Sequence, residues 1–471
     1  MKKKIICLFS FLAVAIFISG NIASSTSILN EEDIIENKSN PPIKTYGDGW
    51  LEEQDGIKIA HLKGSFYDMG YQYGTLLKYE ILKGVRAKKT LIPLFGLTYN
   101  ETIDFWNIQK NYMKDKTIDF IQGTADAIGL ELQDYGWVWL IQGAAYYKLS
   151  PDADHCSCFA AWGPATRSNE LIHVRMIDGP PKCTDPITGE YLIENAVLIV
   201  ADPDDGHAFS YPTYAGYCPE DGFNEMGISV GYMWSRNRGN KTKHGAPIGT
   251  RMLETMYSAS TIEEAIKIMT TNKTYGYNIV ICDSKIPIGY AIETTANLTY
   301  IGTWNDTVES KYPFYEIDHV IRRVCLYINE TLSATQRDTF NPRSFKYILS
   351  MLDKLFNFRP IVKKIFNIPE EFGVFQRWAR YQSISKGIEQ NWGNIDLENA
   401  MQITKNVYHG EYDLAWKIIC TKARYWESWW HWAVCGKTGD IYISYATPEK
   451  PAYDNPVCRF NLFEMLESGP S

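Results

Sequence analysis

The sequence lacks an excess of basic residues, and it lacks a second long apolar run. Of its 471 residues, 47 are Lys or Arg and 55 are Asp or Glu, which gives a formal net charge of −8. This charge excludes nucleic acid as a partner, because phosphate binding requires a basic surface. Beyond the first 23 residues no stretch approaches the length of a membrane span, so we expect the body of the protein to be soluble.

Metal and nucleotide motifs are also missing. The chain contains no Cys-x-x-Cys pair, no P-loop and no Gly-x-Gly-x-x-Gly sequence. Its eight histidines are scattered without the spacing of metal ligands, at His61, His155, His173, His207, His244, His319, His409 and His431. The sequence therefore predicts neither a metal nor another cofactor.

The composition, 45% hydrophobic and 14% aromatic, is typical of a globular protein with a large core. Apolar residues at helical spacing predict helices across residues 65–148 and again across 330–410. Between them, from residue 158, short runs of strand-forming residues predict stacked antiparallel strands. A hairpin over 431–446, turning at Lys437 to Gly439, follows near the end. We therefore expect a layered α+β fold with the strands inside.

Two helix starts have recognisable caps. In STIEEAIKIM, Ser260 is expected to cap the helix, and Glu263 three residues later completes a capping box. In DLENAMQITKNV, Asp396 is the expected cap. Both predictions depend on short polar side chains that accept hydrogen bonds from the first backbone amides of a helix.

The first residues have the layout of a secretory signal. Lys2 to Lys4 form a basic start, Ile5 to Gly20 are nearly all apolar, and small residues follow. We interpret residues 1–23 as a signal peptide cleaved near Ala23, with an uncleaved N-terminal membrane anchor as the less favoured alternative. The predicted location is secreted or extracytoplasmic, and a lysosome-like compartment is compatible with it.

Export is also indicated by seven Asn-x-Ser/Thr sequons. They lie at Asn37, Asn100, Asn240, Asn272, Asn297, Asn305 and Asn329. One or two would arise by accident, whereas seven favour a glycoprotein.

Nine cysteines remain after the predicted signal. They are Cys156, Cys158, Cys183, Cys218, Cys282, Cys325, Cys420, Cys435 and Cys458. Because nine is odd, at least one sulfur stays outside intrachain disulfides in an oxidising compartment. A buried inert thiol, such as Cys282 in the apolar run NIVICD, is one explanation. If Cys156 is the free thiol, the other eight allow up to four disulfides, with Cys183 and Cys218 a plausible pair.

The most informative stretch is DHCSCFAAWGPATRSNELIHVRMID, residues 154–178. It predicts a strand hairpin with Cys156 at its entrance and with Arg175 and Asp178 at the end of the returning strand, so that the three meet. A guanidinium next to a thiol lowers the pKa of the thiol, and a carboxylate orients an arginine or an amine. From these residues alone, a structural disulfide at Cys156 and an ordinary Arg175–Asp178 ion pair stay open beside catalysis.

Seven segments in order resemble one enzyme family. They are GSFYDMGYQYGTLLKYEI, CSCFAAWG, RMID, GFNEMGISVG, GAPIGTRMLETMYSASTIEEAIKIM with the following YNIVICDS and AIETTANLTYI, KTGDIYISYATPEKPAY, and RFNLFEML. In this order they are similar to the peptidase C45 group of N-terminal-nucleophile (Ntn) hydrolases. That group includes the isopenicillin N acyltransferases and is related to the choloylglycine hydrolases, the bile-salt and penicillin V amidases.

The resemblance implies a fold and a division of the chain. The expected fold is a four-layer αββα Ntn-hydrolase sandwich with additional helical segments. Residues 24–155 would form an N-terminal helical pro-segment or small subunit, and residues 156–471 the catalytic chain, with a helical insertion at about 330–410.

The resemblance also implies a mechanism. The sulfur of Cys156 attacks the carbonyl of His155, the resulting thioester is hydrolysed, and the freed α-amine of Cys156 then serves as base for its own thiol. Arg175 and Asp178 hold and tune the nucleophile, and the two self-cleaved chains remain associated. This implies an exported cysteine amidohydrolase or acyltransferase acting on amide or thioester acyl groups of a small substrate or peptide.

Several positions depart from the family pattern or compete with it. Cys158 is a rival nucleophile, since a strand places it on the same face as Cys156, although the family motif favours Cys156. The family's oxyanion asparagines are missing near Cys325 and Trp234. Asn224, Asn305, Asn329 or backbone amides are possible substitutes, so the oxyanion donors are unassigned. His155 replaces the usual small residue before the nucleophile.

Two other classes of function stay open. A single-chain Cys/His cysteine protease requires a histidine base, and a secreted glycoprotein on the same fold requires no catalysis. The aromatic stretch YWESWWHWAV, residues 425–434, fits either a buried core or an acyl pocket, and the core is favoured.

Overall fold

Two β-sheets lie at the centre of the computed structural model, which describes residues 34–35, 43–148, 156–179, 183–237, 239–336, 373–414, 416–417, 420 and 428–470. The predicted signal 1–23, the sequon at Asn37, the proposed cleavage residue His155 and part of the 330–410 segment lie outside these residues. The predictions made for them therefore stay predictions.

Seventeen strands are found in the described residues. They are β1 Ile34–Ile35, β2 Lys44–Tyr46, β3 Gly49–Gln54, β4 Ile57–Gly64, β5 Ser157–Gly163, β6 Asn169–Asp178, β7 Ala196–Pro203, β8 Phe209–Tyr214, β9 Asp221–Asn224, β10 Ile228–Trp234, β11 Tyr277–Asp283, β12 Ile288–Thr294, β13 Thr299–Gly302, β14 Val320–Val324, β15 Ser428–Cys435, β16 Asp440–Tyr445 and β17 Val457–Asn461.

Thirteen α-helices accompany them in the described residues. They are α1 Phe66–Leu76, α2 Lys78–Lys89, α3 Leu91–Leu94, α4 Tyr99–Gln109, α5 Asp115–Ile128, α6 Leu132–Gly136, α7 Ile141–Lys148, α8 Ile248–Ser258, α9 Ile262–Thr270, α10 Glu330–Ser333, α11 Gly373–Asn391, α12 Leu397–His409 and α13 Leu462–Glu467. The helical character predicted for residues 65–148 is confirmed.

The strands form one sheet of seven and one of ten. The order is β1-β17-β16-β15-β6-β5-β14 in the first and β13-β12-β11-β10-β9-β8-β7-β4-β3-β2 in the second. Neighbours are antiparallel except for β1 with β17 and β4 with β7. The predicted closing hairpin is confirmed, because β15 pairs with β16 and Gly439 supplies the left-handed φ of +79° at the turn.

Helices cover the outer face of each sheet. On the ten-stranded sheet, α1 packs on β2, β3 and β4, while α8 and α9 pack on β9, β10 and β11. On the seven-stranded sheet, α11 and α12 pack on β14, β6 and β15. One apolar core lies largely between the two sheets. A second lies between the seven-stranded sheet and its outer helices, and a third lies between the ten-stranded sheet and its outer helices. The expected four-layer αββα arrangement is therefore confirmed.

Helices α1 and α5 cross closely because glycines remove side chains at the contact. A Cβ atom on Gly70 would lie 2.1 Å from the Phe120 carbonyl oxygen, and one on Gly123 would lie 2.1 Å from that of Tyr67. Any larger residue would clash with backbone, so the glycines in MGYQYG and IQGTA fix this crossing.

One cap was predicted one residue too early. Thr261, rather than Ser260, caps α9, and its capping-box partner is Glu264 rather than Glu263. The reason is that Thr261 accepts from the Glu264 amide, while Glu264 in turn accepts from the backbone amides of Ser260 and Thr261. The predicted cap at Asp396 is confirmed, since its side chain accepts from the Asn399 amide. Within the described residues, no helix is both long and apolar enough for a membrane crossing.

Candidate active site around Cys156

Cys156 lies directly before β5, at the edge of the interior of the sandwich. Strand β5 is paired on one side with β6, where Ser157 opposes Met176, and on the other with β14, where Ser157 opposes Val324. The predicted hairpin is thus confirmed, and its two ends bring Cys156 and Asp178 together. Cys156 therefore precedes a strand that is held by neighbours on both sides.

The thiol of Cys156 is enclosed, with 6% of the residue exposed. Its Sγ donates to the Asp178 main-chain oxygen at 3.7 Å, and its own carbonyl accepts from the Cys325 thiol at 3.4 Å. Burial raises the pKa of Cys156 to about 11, although the Arg175 charge opposes the rise. The expectation of a lowered thiol pKa is therefore wrong for the continuous chain, because desolvation outweighs the guanidinium.

Arg175 is fully buried and ties the two sheets together. Its Nη1 donates to the carbonyls of Ser157 at 3.1 Å and Met176 at 2.7 Å, and its Nη2 donates to the carbonyl of Tyr232 on β10. The same Nη2 lies 3.9 Å from Glu220 Oε2. The guanidinium therefore anchors the backbone next to Cys156 and does not form the simple Arg175–Asp178 ion pair left open above.

Two buried acids accompany Arg175, and sequence reasoning missed both. Glu220 accepts a hydrogen bond from Gln142 Nε2 at 2.8 Å, and Asp221 accepts one from Trp430 Nε1 at 3.2 Å. Burial raises the pKa of both carboxyls, and Arg175 opposes the rise. Glu220 directly precedes β9 and Asp221 begins it, and the sequence gives no signal there beyond two adjacent acids in CPEDG.

The main-chain oxygen and the side-chain carboxylate of Asp178 have neighbours in different layers. Its carbonyl faces Cys156, whereas its carboxylate enters the helical layer, where Tyr408 Oη donates to Oδ1 at 2.7 Å and Arg380 Nη1 lies 2.6 Å from Oδ2. Burial raises the pKa of Asp178 to about 7, while Arg380 and Arg175 lower it. Strand periodicity contained the signal, since residues three apart, such as Arg175 and Asp178, must face opposite sides.

Cys158 has a different environment from Cys156. It is fully buried as the second residue of β5, with Sγ 3.0 Å from His173 Nε2, and His173 Nδ1 lies 2.8 Å from Ser229 Oγ on β10. Burial, with a smaller contribution from Arg175, lowers the pKa of His173 to about 3, so the imidazole is neutral. Burial also raises the pKa of the Cys158 thiol. This neutral chain of three side chains links the two sheets.

Cys325 stands where the family pattern expects an oxyanion asparagine, and its side chain does not supply an amide. Cys325 touches the Cys156 carbonyl, as given above, and it follows β14 directly. Asn278 on β11 is nearby, since its Nδ2 donates at 2.6 Å to the carbonyls of Val324 and Leu326, which flank Cys325. Sequence reasoning missed Asn278, because only the stacking of β11 over β14 brings it there.

The three asparagines considered as substitutes serve elsewhere. Asn224 holds its own turn, donating to the carbonyls of Met256 and Ala259 and accepting from the Ile228 amide. Asn329 caps α10, and Asn305 lies on the surface. Trp234 ends β10 and is half-buried. The oxyanion donors therefore stay unassigned.

The predicted disulfides are contradicted by the structure. All nine cysteines lie within the described residues, and no disulfide joins any of them. The Cys183–Cys218 pair is not formed, although both thiols lie within the electrostatic influence of the buried Lys88 amine. Eight of the nine are buried and all nine are free thiols, so counting cysteines alone misled. Cys282 is a buried thiol, as the inert interpretation expected.

Within the described residues, the sequons are exposed or half-buried and the tryptophans of the aromatic stretch are buried, as expected. The sequons at Asn100, Asn272, Asn297 and Asn305 are exposed, and those at Asn240 and Asn329 are half-buried. The favoured core interpretation of the aromatic stretch is confirmed for its described part, because Trp429, Trp430 and Trp432 are buried. Among the described residues no group of His, Cys, Asp and Glu is arranged to hold a metal ion.

Comparison with known proteins gives distant similarities. No family model matches the sequence. Protein dcd1B from Dictyostelium discoideum is 24% identical over 299 residues, covering 58% of this chain, and this chain spans about half of that protein's length, 55%.

Two solved structures also resemble the chain. The penicillin V acylase from Agrobacterium tumefaciens matches with a TM-score of 0.35 and 11% identity over 66% of this chain and 87% of that chain. A variant of the conjugated bile acid hydrolase from Clostridium perfringens matches with a TM-score of 0.33 and 12% identity over 65% and 96%. Similarities this low assign neither an activity nor a substrate.

Proposed function

We propose that this protein is a self-cleaving cysteine hydrolase or acyltransferase of the Ntn, peptidase C45 type, acting on amide or thioester acyl groups. The observation that carries the proposal is the location of Cys156, which directly precedes β5, a strand paired on both sides within the αββα sandwich, beside the buried Arg175. The seven family-like segments in order support it.

The chemistry of the enclosed thiol fits a precursor. In a continuous chain the nitrogen of Cys156 is an amide, so it cannot serve as a base, and the buried thiol stays protonated. Cleavage after His155 converts that amide into an α-amine with a reference pKa near 8, next to its own thiol. The amine can accept the thiol proton while sulfur attacks an acyl carbon, and no histidine is needed.

The Cys/His protease alternative has one thiol–imidazole contact to consider, Cys158 with His173. Both residues are buried, and burial lowers the pKa of His173 to about 3. An imidazole this weakly basic, enclosed between two sheets, is a poor base for a thiol that a peptide must reach. The pair therefore favours a structural role.

The decisive experiment is expression of the wild type, Cys156→Ala and Cys158→Ser, followed by N-terminal sequencing and assay. We expect the wild type to split into two associated chains, the second beginning at Cys156. Cys156→Ala should remain a single chain and lose amide hydrolysis by at least about 10³-fold, because the nucleophile is gone. Cys158→Ser is the matched control and should cut and hydrolyse as the wild type does.

N-acyl amino acids, β-lactams, short peptides and acyl thioesters form the substrate panel. Full activity in an uncut chain, or a second chain that begins elsewhere, would contradict the proposal. Hydrolysis by an uncut chain that is lost on replacement of His173 would favour the single-chain Cys/His alternative. Absence of both cleavage and hydrolysis in the wild type would favour the non-catalytic glycoprotein.

Export forms part of this proposal. The signal-like residues 1–23 and the exposed sequons at Asn100, Asn272, Asn297 and Asn305 support it. In a glycosylating host, glycosidase treatment should lower the apparent mass of the mature protein. An unchanged mass would mean that the sequons are not used.

A further inference from the structure

Asp178 connects the thiol of Cys156 with the helical layer on the far side of the sheet. Its main-chain oxygen accepts from Cys156 Sγ at 3.7 Å. Its carboxylate is buried among α11 and α12, held by Tyr408 Oη at 2.7 Å and by Arg380 Nη1 at 2.6 Å. A shift of this carboxylate would therefore move the carbonyl that contacts the sulfur.

The two partners of the carboxylate are themselves held in place. Arg380 and Tyr408 are both buried, and the guanidinium lies over the Tyr408 ring at 4.6 Å and over the Trp416 ring at 5.4 Å. The Tyr408 ring also stacks on Tyr453 at 4.9 Å. Aromatic rings on both sides restrict the rotamers of this pair, so it provides a rigid attachment for Asp178.

Other titratable groups face the same region. Arg175 lies on the opposite face of the sheet, Cys420 and Tyr453 lie beside the carboxylate, and His431 lies 4.6 Å from the Tyr408 ring. His431 is bonded to Ser428 Oγ at 2.9 Å and Thr404 Oγ1 at 3.0 Å, and burial lowers its pKa. Among the described residues, Arg380 is therefore the cation in contact with the Asp178 carboxylate.

We infer that Arg380 and Tyr408 are positioning residues for Cys156, which they orient through Asp178. They do not touch the sulfur, and they act by fixing the end of β6. The consequence for catalysis rests on the proposed function, whereas the consequence for the thiol itself does not. Ionised Asp178 is the form that binds both partners, so protonation should release the strand end.

The test compares Tyr408→Phe with Tyr381→Phe in the mature protein. Tyr381 is the matched control, because it is another buried tyrosine of the same helical layer and its hydroxyl has no hydrogen-bond partner within the described residues. The first readout is the rate of alkylation of Cys156 by iodoacetamide at pH 8, followed by peptide mass spectrometry. We expect Tyr408→Phe to raise this rate at least about threefold, since a loosened strand end exposes the sulfur.

The second readout is the pH dependence of hydrolysis. Loss of the Tyr408 hydrogen bond destabilises ionised Asp178, so the acidic limb of kcat should move upward by about one pH unit with KM unchanged. Arg380→Lys, which keeps the charge, should lie between the wild type and Tyr408→Phe. A general fold defect in Tyr408→Phe would instead change KM and the thermal unfolding temperature as well as kcat.

The outcomes separate this inference from the proposed function. Equal alkylation rates in the wild type, Tyr408→Phe and Tyr381→Phe would overturn the positioning role, whatever the activity. Faster alkylation in Tyr408→Phe alone, in a protein that hydrolyses no acyl compound, would support the positioning role and overturn the proposed function.

Discussion

Cys156 and Cys158 are two residues apart in the sequence, yet their environments differ. Cys158 is fully buried and bonded to the side chain of neutral His173. Cys156 lies directly before the strand. Its thiol donates to the main-chain oxygen of Asp178, and its own carbonyl accepts from the Cys325 thiol. The thiol of Cys158 is therefore fixed by a side-chain partner, whereas the thiol of Cys156 is oriented by a main-chain contact at the strand end.

The largest effect is expected at Arg175, whose charge faces both thiols. Arg175→Met should lower the free energy of unfolding by about 3–5 kcal/mol, because Glu220 and Asp221 lose their counter-charge and three carbonyls lose a donor. Urea unfolding measures this change. Arg175→Lys keeps the charge without the fork of donors and should lie in between. A loss below about 1 kcal/mol for Arg175→Met would mean that the guanidinium does not hold the strand pair.

The next effect is the pH dependence of stability that His173, the partner of Cys158, produces. The pKa of His173 is lowered to about 3 in the folded protein from an ordinary value of 6.5, so the unfolded chain binds this proton more strongly. His173 therefore reduces stability as the pH falls from about 6.5 towards 3. His173→Gln should remove on the order of 1–3 kcal/mol of that acid-side loss.

Unfolding curves of both proteins at several pH values measure this difference. Asp178 works in the opposite direction, because its raised pKa means that the folded state holds the proton more strongly between about 4 and 7. Since Asp178 is present in both proteins, the comparison isolates His173. Parallel pH curves would contradict a neutral buried imidazole.

The smallest effect concerns Cys158 itself. Cys158→Ala should cost about 1–2 kcal/mol of unfolding free energy, because His173 Nε2 is left buried without its partner. Cys158→Ser keeps a donor and should cost less. Guanidinium unfolding of the two variants gives the difference, and an equal loss in both would show that packing rather than the hydrogen bond matters at this position.

Much of the fold could be predicted from local patterns. Helical spacing located the N-terminal helices, and strand runs located the sheets, because these periods arise from backbone geometry itself. The cap of α9 was predicted one residue too early. Ser260 and Thr261 carry equivalent capping hydroxyls, and only the backbone conformation determines which of them caps the helix.

The site could be predicted only in part. The sequence by itself determined that the chain near Cys156 and the end of the strand carrying Arg175 and Asp178 would meet, because a hairpin brings its two ends together. Strand periodicity also implies that Arg175 and Asp178 face opposite sides, and the ion pair considered from the sequence left this out of account.

Only the tertiary structure decided which residues contact Arg175 on one side of the sheet and the Asp178 carboxylate on the other. Glu220 lies 45 residues from Arg175 in sequence, and Tyr408 lies 230 residues from Asp178. No local pattern encodes such distances, since they depend on how sheets and helices stack. Desolvation is likewise a property of the packed molecule, which is why a thiol beside an arginine has a raised pKa here.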